Sequence, residues 1–447
     1  MSDVQFRGGW RVTDPDPGSA PARVGRAARR EHGWQRPTRG GTIVVAVAAT
    51  VATAIGGCGS SPAAAGPAGT AAQVAGTSPA TARSASASST LPPLPAGQQG
   101  SRQDVPWAQV GPGWFLAEWS RAPDQAGTAP AKSAAPTLFL VDPSGGRYRI
   151  ETLPGSLRSD YLVAWSGDGQ RALLAGGSGP AMAVLDLRTA ASTGFTLGGD
   201  VTPVGFTAPD GLAIIANKSA GTSHSHLERF SLTGMLERSY RALFPGPGGS
   251  YNGSALYSAS GTELAAGTTT GVELMTNNGR VIRFLPVNPS VRFCSVLRWW
   301  TPEELLAGCM PASGSAIQQL WLVPTSGARP TALTARPAAR GDLGDLDAWQ
   351  LPAGTYVQDA GACGYTYVAR LNRNERTTPV PVPGVPAGES TIILGTQGSQ
   401  LAIKAKSACG GGGALMWFVP TTNSVIPLLG GSVNGGTLEA VAMFGEP

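Results

Sequence analysis

Trp165-Ser166-Gly167-Asp168-Gly169-Gln170-Arg171-Ala172-Leu173-Leu174-Ala175 reads as a strand ending in an aromatic residue, a tight polar turn on Asp and Gly, and a second strand of small and branched apolar residues. The stretch recurs in altered form along the chain. Phe206, Tyr257, Trp300, Trp349 and Phe444 stand where Trp165 stands, with Leu394 in the same role. Turns follow at Ala208-Pro209-Asp210-Gly211, Ala259-Ser260-Gly261, Pro302-Glu303, Pro352-Ala353-Gly354 and Gln397-Gly398-Ser399. Each turn leads at once into another apolar strand, such as Leu212-Ala213-Ile214-Ile215 or Leu401-Ala402-Ile403.

A second landmark lies further on in each unit, where an apolar strand runs into a short turn. It ends at Asp142, Asp186, Ser231, Thr276, Pro324, Asn372 and Pro420, so the steps are 44, 45, 45, 48, 48 and 48 residues. Two landmarks in phase define seven units. A unit of about four short strands leaves a sheet face uncovered, and radial stacking of such sheets covers both faces while keeping the edges short. The expected fold is therefore all-β, a seven-bladed propeller. Val441-Ala442-Met443-Phe444-Gly445 resembles Val163-Ala164-Trp165-Ser166-Gly167, an innermost strand, whereas the first unit starts at the turn and second strand, Gly111 to Ala117. The C-terminal strand is expected to supply the inner strand of the first blade and close the ring.

The motif at 165–175 resembles the Trp-Ser-Pro-Asp-Gly-Lys repeat of TolB-type propellers, also called WD40-like PD40 repeats. Phe206 to Gly211 keeps Pro209-Asp210-Gly211 with one extra residue, and the other units, spread over 107–447, are degenerate. The resemblance implies the fold and a cell-envelope setting. The additional N-terminal domain of TolB has no counterpart here, so its partners are not implied.

The chain is rich in Gly and Pro, with 62 and 37 of its 447 residues, and only 14% are charged, which suits short strands and turns better than helices. The net charge of +5 is localised. Residues 1–41 hold eight Arg against four acids, leaving 25 basic and 24 acidic residues in the rest, so the pI does not argue for nucleic-acid binding. The Arg run suits the cytoplasmic side of an export signal. The apolar run Thr42 to Ile55 is too short to span a bilayer and has the length of a signal-peptide core. Ile55-Gly56-Gly57-Cys58 resembles the bacterial lipobox, which implies cleavage before Cys58 and its lipidation. Two or three acyl chains, at about 0.8 kcal/mol per buried methylene, would anchor the protein firmly to the membrane. The alternative is an uncleaved signal anchor with a long Arg-rich tail, and an internal translation start would shorten that tail.

The expected organisation is a signal peptide over 1–57, a lipidated Cys and disordered tether over 58–104, and the propeller over 105–447. Residues 59–104 are almost wholly Ala, Ser, Thr, Pro and Gly and cannot bury enough apolar surface to offset ordering entropy. As a coil they would span about 35 to 40 Å.

Four further cysteines in an exported domain suggest two disulfides, with three possible connectivities. Cys294 and Cys309 flank the first turn of the fifth unit symmetrically, which sets them opposite one another across an antiparallel pair. Cys363 and Cys409 both follow the second strand of their units. The expected pairing is Cys294 with Cys309 and Cys363 with Cys409, against the alternative of four reduced, buried thiols.

In a four-stranded blade the turns after strands one and three lie on one face of the ring, and those after strands two and four on the other. The second set is the longer here, and long loops on one face mark the expected binding face. Around it stand Trp119, Arg158, Asp160, Lys218, Arg292, Arg340, Asp342, Asp345 and Lys406. His224 and His226, two apart on an extended segment with Glu228 beyond them, are the metal-ligating candidates, set against a polar loop. Asp342 to Asp347 lacks a calcium loop ending in Glu, Gly410 to Gly413 leads into no helix, and no Gly-x-Ser-x-Gly elbow is present. No cofactor is expected.

These readings favour a monomeric, extracytoplasmic lipoprotein on the outer face of the membrane whose propeller binds an envelope protein or wall polymer. The alternative is a secreted propeller enzyme, lactonase-like or glycan-acting, with its site at the mouth of the axial channel. Asp160 and Asp345 are the carboxylates near that mouth.

Overall fold

The computed structural model describes residues 92–121, 135–153, 162–176, 181–220, 224–240, 251–313, 317–336, 343–361, 365–386, 388–406, 413–430 and 436–445. They form seven sheets, one per sequence unit, antiparallel throughout except for one parallel edge strand in the first. Blade I orders β1 (Gln99–Ser101), β4 (Arg147–Thr152), β3 (Thr137–Val141), β2 (Phe115–Arg121) and β29 (Gly436–Met443). Blade II runs β5 (Leu162–Trp165), β6 (Arg171–Ala175), β7 (Ala181–Asp186), β8 (Ser192–Thr196), and blade III β9 (Val201–Phe206), β10 (Ala213–Ala220), β11 (His224–Ser231), β12 (Leu236–Tyr240). Blade IV holds β13 (Tyr251–Tyr257), β14 (Glu263–Thr268), β15 (Gly271–Thr276) and β16 (Val281–Pro286). Blade V holds β17 (Val291–Thr301), β18 (Glu304–Pro311), β19 (Gln319–Pro324) and β20 (Thr331–Ala332). Blade VI comprises β21 (Asp345–Leu351), β22 (Gly354–Ala360), β23 (Thr366–Leu371) and β24 (Thr377–Pro379), and blade VII β25 (Ser390–Gln397), β26 (Gln400–Lys406), β27 (Ala414–Val419) and β28 (Ser424–Gly430).

The turn at Ser166 to Arg171 shows why the motif recurs. Asp168 Oδ1 accepts hydrogen bonds from Ser166 Oγ at 2.5 Å and from the Gln170 amide at 3.0 Å, while Arg171 donates to Oδ2 at 3.0 Å. Gly169 sits at φ +72°, and a Cβ there would come within 2.6 Å of the Phe444 ring. Phe444 in turn meets Trp165 edge-on at 5.2 Å. Local turn chemistry and contact with the chain's far end thus impose the same residue.

The core divides into seven apolar clusters, and each lies between two successive blades. Leu116, Leu140, Trp165 and Leu174 join blades I and II; Leu173, Met182, Ile214 and Phe230 join II and III; Ile215, Tyr240, Tyr257 and Leu264 join III and IV. The series continues through Leu274 and Leu305, Leu306 and Val357, and Trp349 and Ile403. The seventh cluster brings Leu415 and Trp417 of blade VII against Phe115 of blade I and returns to the start. Alternation along each second strand sends neighbouring residues to opposite interfaces, so every blade is covered on both faces.

β29 pairs antiparallel with β2, from Met443 opposite Phe115 to Gly436 opposite Arg121, with a bulge at Glu118/Trp119. The N-terminal edge of blade I differs from the expectation. β1 lies within the stretch assigned to the tether, yet it pairs parallel with β4, and the Leu94 amide donates to Tyr148 Oη at 2.9 Å. Ordered structure therefore begins before residue 105. Leu94 packs against the blade I core, burial that the Ala/Ser composition further upstream cannot supply.

Candidate functional site

A shared strand position stitches the blades together at the end that carries the long connections. Counting the first residue after each inner turn as zero, the fourth residue onward in the second strand is Glu118, Ala175, Asn217, Gly267, Gly308, Gln358 and Lys404. Where it is polar, its side chain bonds the next blade's inner strand. Glu118 Oε2 accepts from the Leu162 amide at 3.2 Å, Asn217 Nδ2 donates to the Gly253 carbonyl at 2.6 Å, and Lys404 Nζ donates to the Glu439 carbonyl at 2.5 Å. Gln358, buried, donates to the Thr391 carbonyl at 2.8 Å and accepts from the Ile393 amide at 2.6 Å. Where the position is glycine, a neighbouring side chain fills the space. A Cβ on Gly267 would strike Ser254 Oγ, which accepts from the Val296 amide at 3.0 Å. One on Gly308 would strike Gln318, whose amide donates to the carbonyls of Asp345 and Leu346 at 3.1 Å each. These bonds tie each such inner strand to the blade before it. Sequence reasoning missed them, although the signal is a polar residue or Gly interrupting an apolar strand at a constant distance from the turn.

Two further polar pairs link neighbouring blades, Arg298 with Asp347 and Tyr251 with Asn217. Arg298 on β17 grips Asp347 on β21 through Nε at 3.0 Å and through a second bond from Nη2, and its guanidinium lies 4.1 Å from the Trp349 ring. Burial pushes the Asp347 carboxyl above its ordinary value, opposed by the Arg298 charge. Burial likewise pushes the Tyr251 phenol up, so it stays protonated and donates to Asn217 Oδ1 at 2.5 Å.

Of the residues expected on the binding face, the described ones all stand at the long-connection end, each on a different blade. Trp119 is half-buried against the cluster between blades VII and I. Lys218 reaches Glu228, Nζ to Oε1 3.8 Å. Arg292 and Lys406 are exposed, whereas Asp345 is buried, opposite the buried Asp359 across β21 and β22. Arg158, Asp160, Arg340 and Asp342 lie outside the described residues, as do Cys58, Cys363 and Cys409. His226 meets Glu228 at 3.1 Å, and the His224 side chain is outside the description. With Lys218 already beside it, Glu228 is a poor third ligand, and among the described residues no group of three or more His, Cys, Asp or Glu is placed to hold a metal.

Cys294 and Cys309 form a disulfide, as their symmetry about the turn implied. It pins a bulge at which the β17–β18 register shifts between Arg292 and Ser295. Phe293 sits in this bulge at φ +51°, 54% exposed, next to Met310, 36% exposed, which stands opposite Arg292. A phenylalanine in the left-handed region and in water is doubly unfavourable, and such positions collect at functional sites. Two grooves mark the described surface. One of about 730 Å³ lies between blades III and IV on the short-turn face, where Arg229, bonded to Glu237 at 2.8 Å and Asn277 at 3.3 Å, forms part of a polar lining. The other, of about 550 Å³, lies beside Tyr365 and Tyr367.

No family model matches the chain, and no curated protein matches it. Its fold resembles solved structures at low identity. A prolyl endopeptidase matches at 12% identity and a TM-score of 0.49, covering 72% of this chain and 50% of its own. A putative 6-phosphogluconolactonase from Bacteroides fragilis matches at 12% and 0.44, covering 74% and 96%, and the Cps50 (Swd1) β-propeller domain of Myceliophteria thermophila at 16% and 0.43, covering 62% and 89%. The chain thus spans about half the length of the peptidase. These likenesses concern the fold and say nothing of chemistry.

Proposed function

We propose that this chain is a lipid-anchored protein of the cell envelope whose propeller binds a protein or wall polymer on its long-connection face and catalyses no reaction. The observation that supports this best is the Phe293 bulge of blade V. A disulfide-pinned aromatic beside Met310 and Arg292 has the composition of an energetic centre of a protein interface, and its rigidity lowers the entropy cost of docking. The anchor rests on the sequence, the apolar run over 42–55 followed by Ile55-Gly56-Gly57-Cys58, and on the resemblance to TolB-type repeats. In the same reading β29 latches the ring by joining the C-terminus to the first blade.

Two measurements test it. The mass of the membrane-extracted protein should begin at Cys58 and carry acyl chains, and Cys58→Ala should remove both; a chain that keeps residues 1–57 overturns the anchor. A photo-crosslinker at position 293 should yield a discrete adduct in intact cells, lost when Met310→Glu or Arg292→Glu is added. A crosslinker at Ile282, an exposed residue of the fourth strand of blade IV, should yield none. Equal adducts from both positions overturn the docking face. The enzyme reading draws on one observation, the buried carboxylates Asp345 and Asp359 paired across β21 and β22. It requires hydrolysis of a lactone or glycan that Asp345→Asn abolishes without lowering thermal stability.

A further inference from the structure

We infer that the groove beside Tyr365 and Tyr367 in blade VI binds a proline-rich peptide carrying a basic residue. The two tyrosines alternate on β23 and the segment before it, and their rings stack at 5.6 Å with 26° between planes. Facing them are Pro379, Pro381 and Pro386, on β24 and the connection into blade VII, with Val382 buried beneath. The backbone beneath the groove is tied to blade VII, where Thr366 Oγ1 donates to the Thr391 carbonyl at 3.0 Å and the Thr366 amide to Ser390 Oγ at 3.3 Å. The platform is thus held by two blades.

The chemistry of the walls selects the occupant. Prolines have no N–H, so the walls are apolar and offer few donors apart from the tyrosine hydroxyls. A sugar buried there would leave most of its hydroxyls without partners, at a cost for each. A polyproline II segment has no internal hydrogen bonds, keeps its backbone solvated and presents flat apolar rings, and aromatic-lined grooves recognise such segments. Glu389 is the one charged residue of the lining among the described residues and directs the choice toward a peptide with Arg or Lys.

This proposal stands apart from the lipid anchor and from the Phe293 bulge. The test is fluorescence anisotropy of the full chain with a labelled decapeptide of alternating Pro and Ala and one central Arg. Saturable binding is expected. Tyr365→Ala with Tyr367→Ala should weaken it about tenfold or more. Glu389→Gln should weaken it about two- to fivefold and flatten its salt dependence, with no effect on the same peptide bearing Ala for Arg. Phe293→Ala should leave binding unchanged, so failure here and failure of the docking-face reading are separable. Thermal melts and Tyr→Phe variants at both positions, which keep the rings, distinguish loss of the groove from unfolding. Absence of saturable peptide binding, or binding indifferent to the tyrosines, overturns the proposal. So does tyrosine-dependent binding of an N-acetylglucosamine oligomer in place of the peptide, or self-association lost in the double Tyr→Ala variant, each naming a different occupant.

Discussion

Arg298 and Asp347 meet where water is excluded, and each charge is tolerable only because of the other. Arg298 is 3% exposed and Asp347 is 7% exposed. Removing one partner of such a pair costs about 3 to 5 kcal/mol, whereas replacing both with apolar groups costs far less. Arg298→Met should accordingly lower stability in urea unfolding more than Arg298→Met with Asp347→Leu. The single variant also carries a pH signature. Burial holds the Asp347 carboxyl above its ordinary value, and loss of the guanidinium raises it further, so the folded state takes up a proton more readily than the unfolded chain. Stability contributed by that proton is present at low pH and lost as pH rises through the folded value. The deficit of Arg298→Met against the native chain should therefore be smaller at pH 4.5 than at pH 8. An equal deficit at both would mean that lost packing on Trp349, and not the stranded carboxylate, carries the effect. No local pattern marks this pair in the sequence, because its members are 49 residues apart and meet only when blades V and VI are adjacent.

At the scale of the strand, the interblade bonds turn a row of separate hairpins into one body. Gln358→Leu keeps the volume but strips the Ile393 amide of its acceptor and leaves the Thr391 carbonyl with Thr366 Oγ1 as its side-chain donor, at about 1 to 3 kcal/mol. Hydrogen exchange should quicken at Ile393 and leave Leu401, on the next strand, near its native rate. Gly267→Ala places a methyl against the Cys294 carbonyl and Ser254 Oγ, and since the carbonyl is backbone the strand itself must shift. A loss of about 1 to 3 kcal/mol is expected, with faster exchange at Val296, whose amide bonds Ser254. What the sequence made legible follows the same division. The Trp165 turn and the second strands were readable because Asp168 and Gly169 act within six residues, and the Cys294–Cys309 bridge because it spans one hairpin. β1 was not, since its parallel pairing with β4 leaves no hairpin signal in a stretch of polar and small residues. The exposed Phe293 was equally hidden, because its conformation follows from a bulge that neither neighbouring strand announces.

For the molecule as a whole, the decisive question is what holds blade I to blade VII, since every other neighbouring pair is joined by a continuous chain. β29 contributes the buried Leu438, Ala442 and Met443 to clusters shared with blades II and VII, and Phe444 packs on Trp165 and Gly169 of blade II. Deleting 436–447 removes the inner strand of blade I and uncovers Phe115 and Trp417 together. Burial of two large apolar side chains at about 1.5 to 3 kcal/mol each, with a whole ladder of β2–β29 hydrogen bonds, should correspond to a fall in melting temperature of about 10 °C or more. If β29 is a latch, the loss spreads. Amides of blades II and VII should lose protection along with those of blade I, unfolding should broaden, and a synthetic peptide of residues 434–447 added in trans should restore both the melting temperature and a single transition. Loss of protection confined to blade I, with no rescue by the peptide, would mean that the clusters between the other six blades keep their ring together without closure, and that β29 merely completes one sheet.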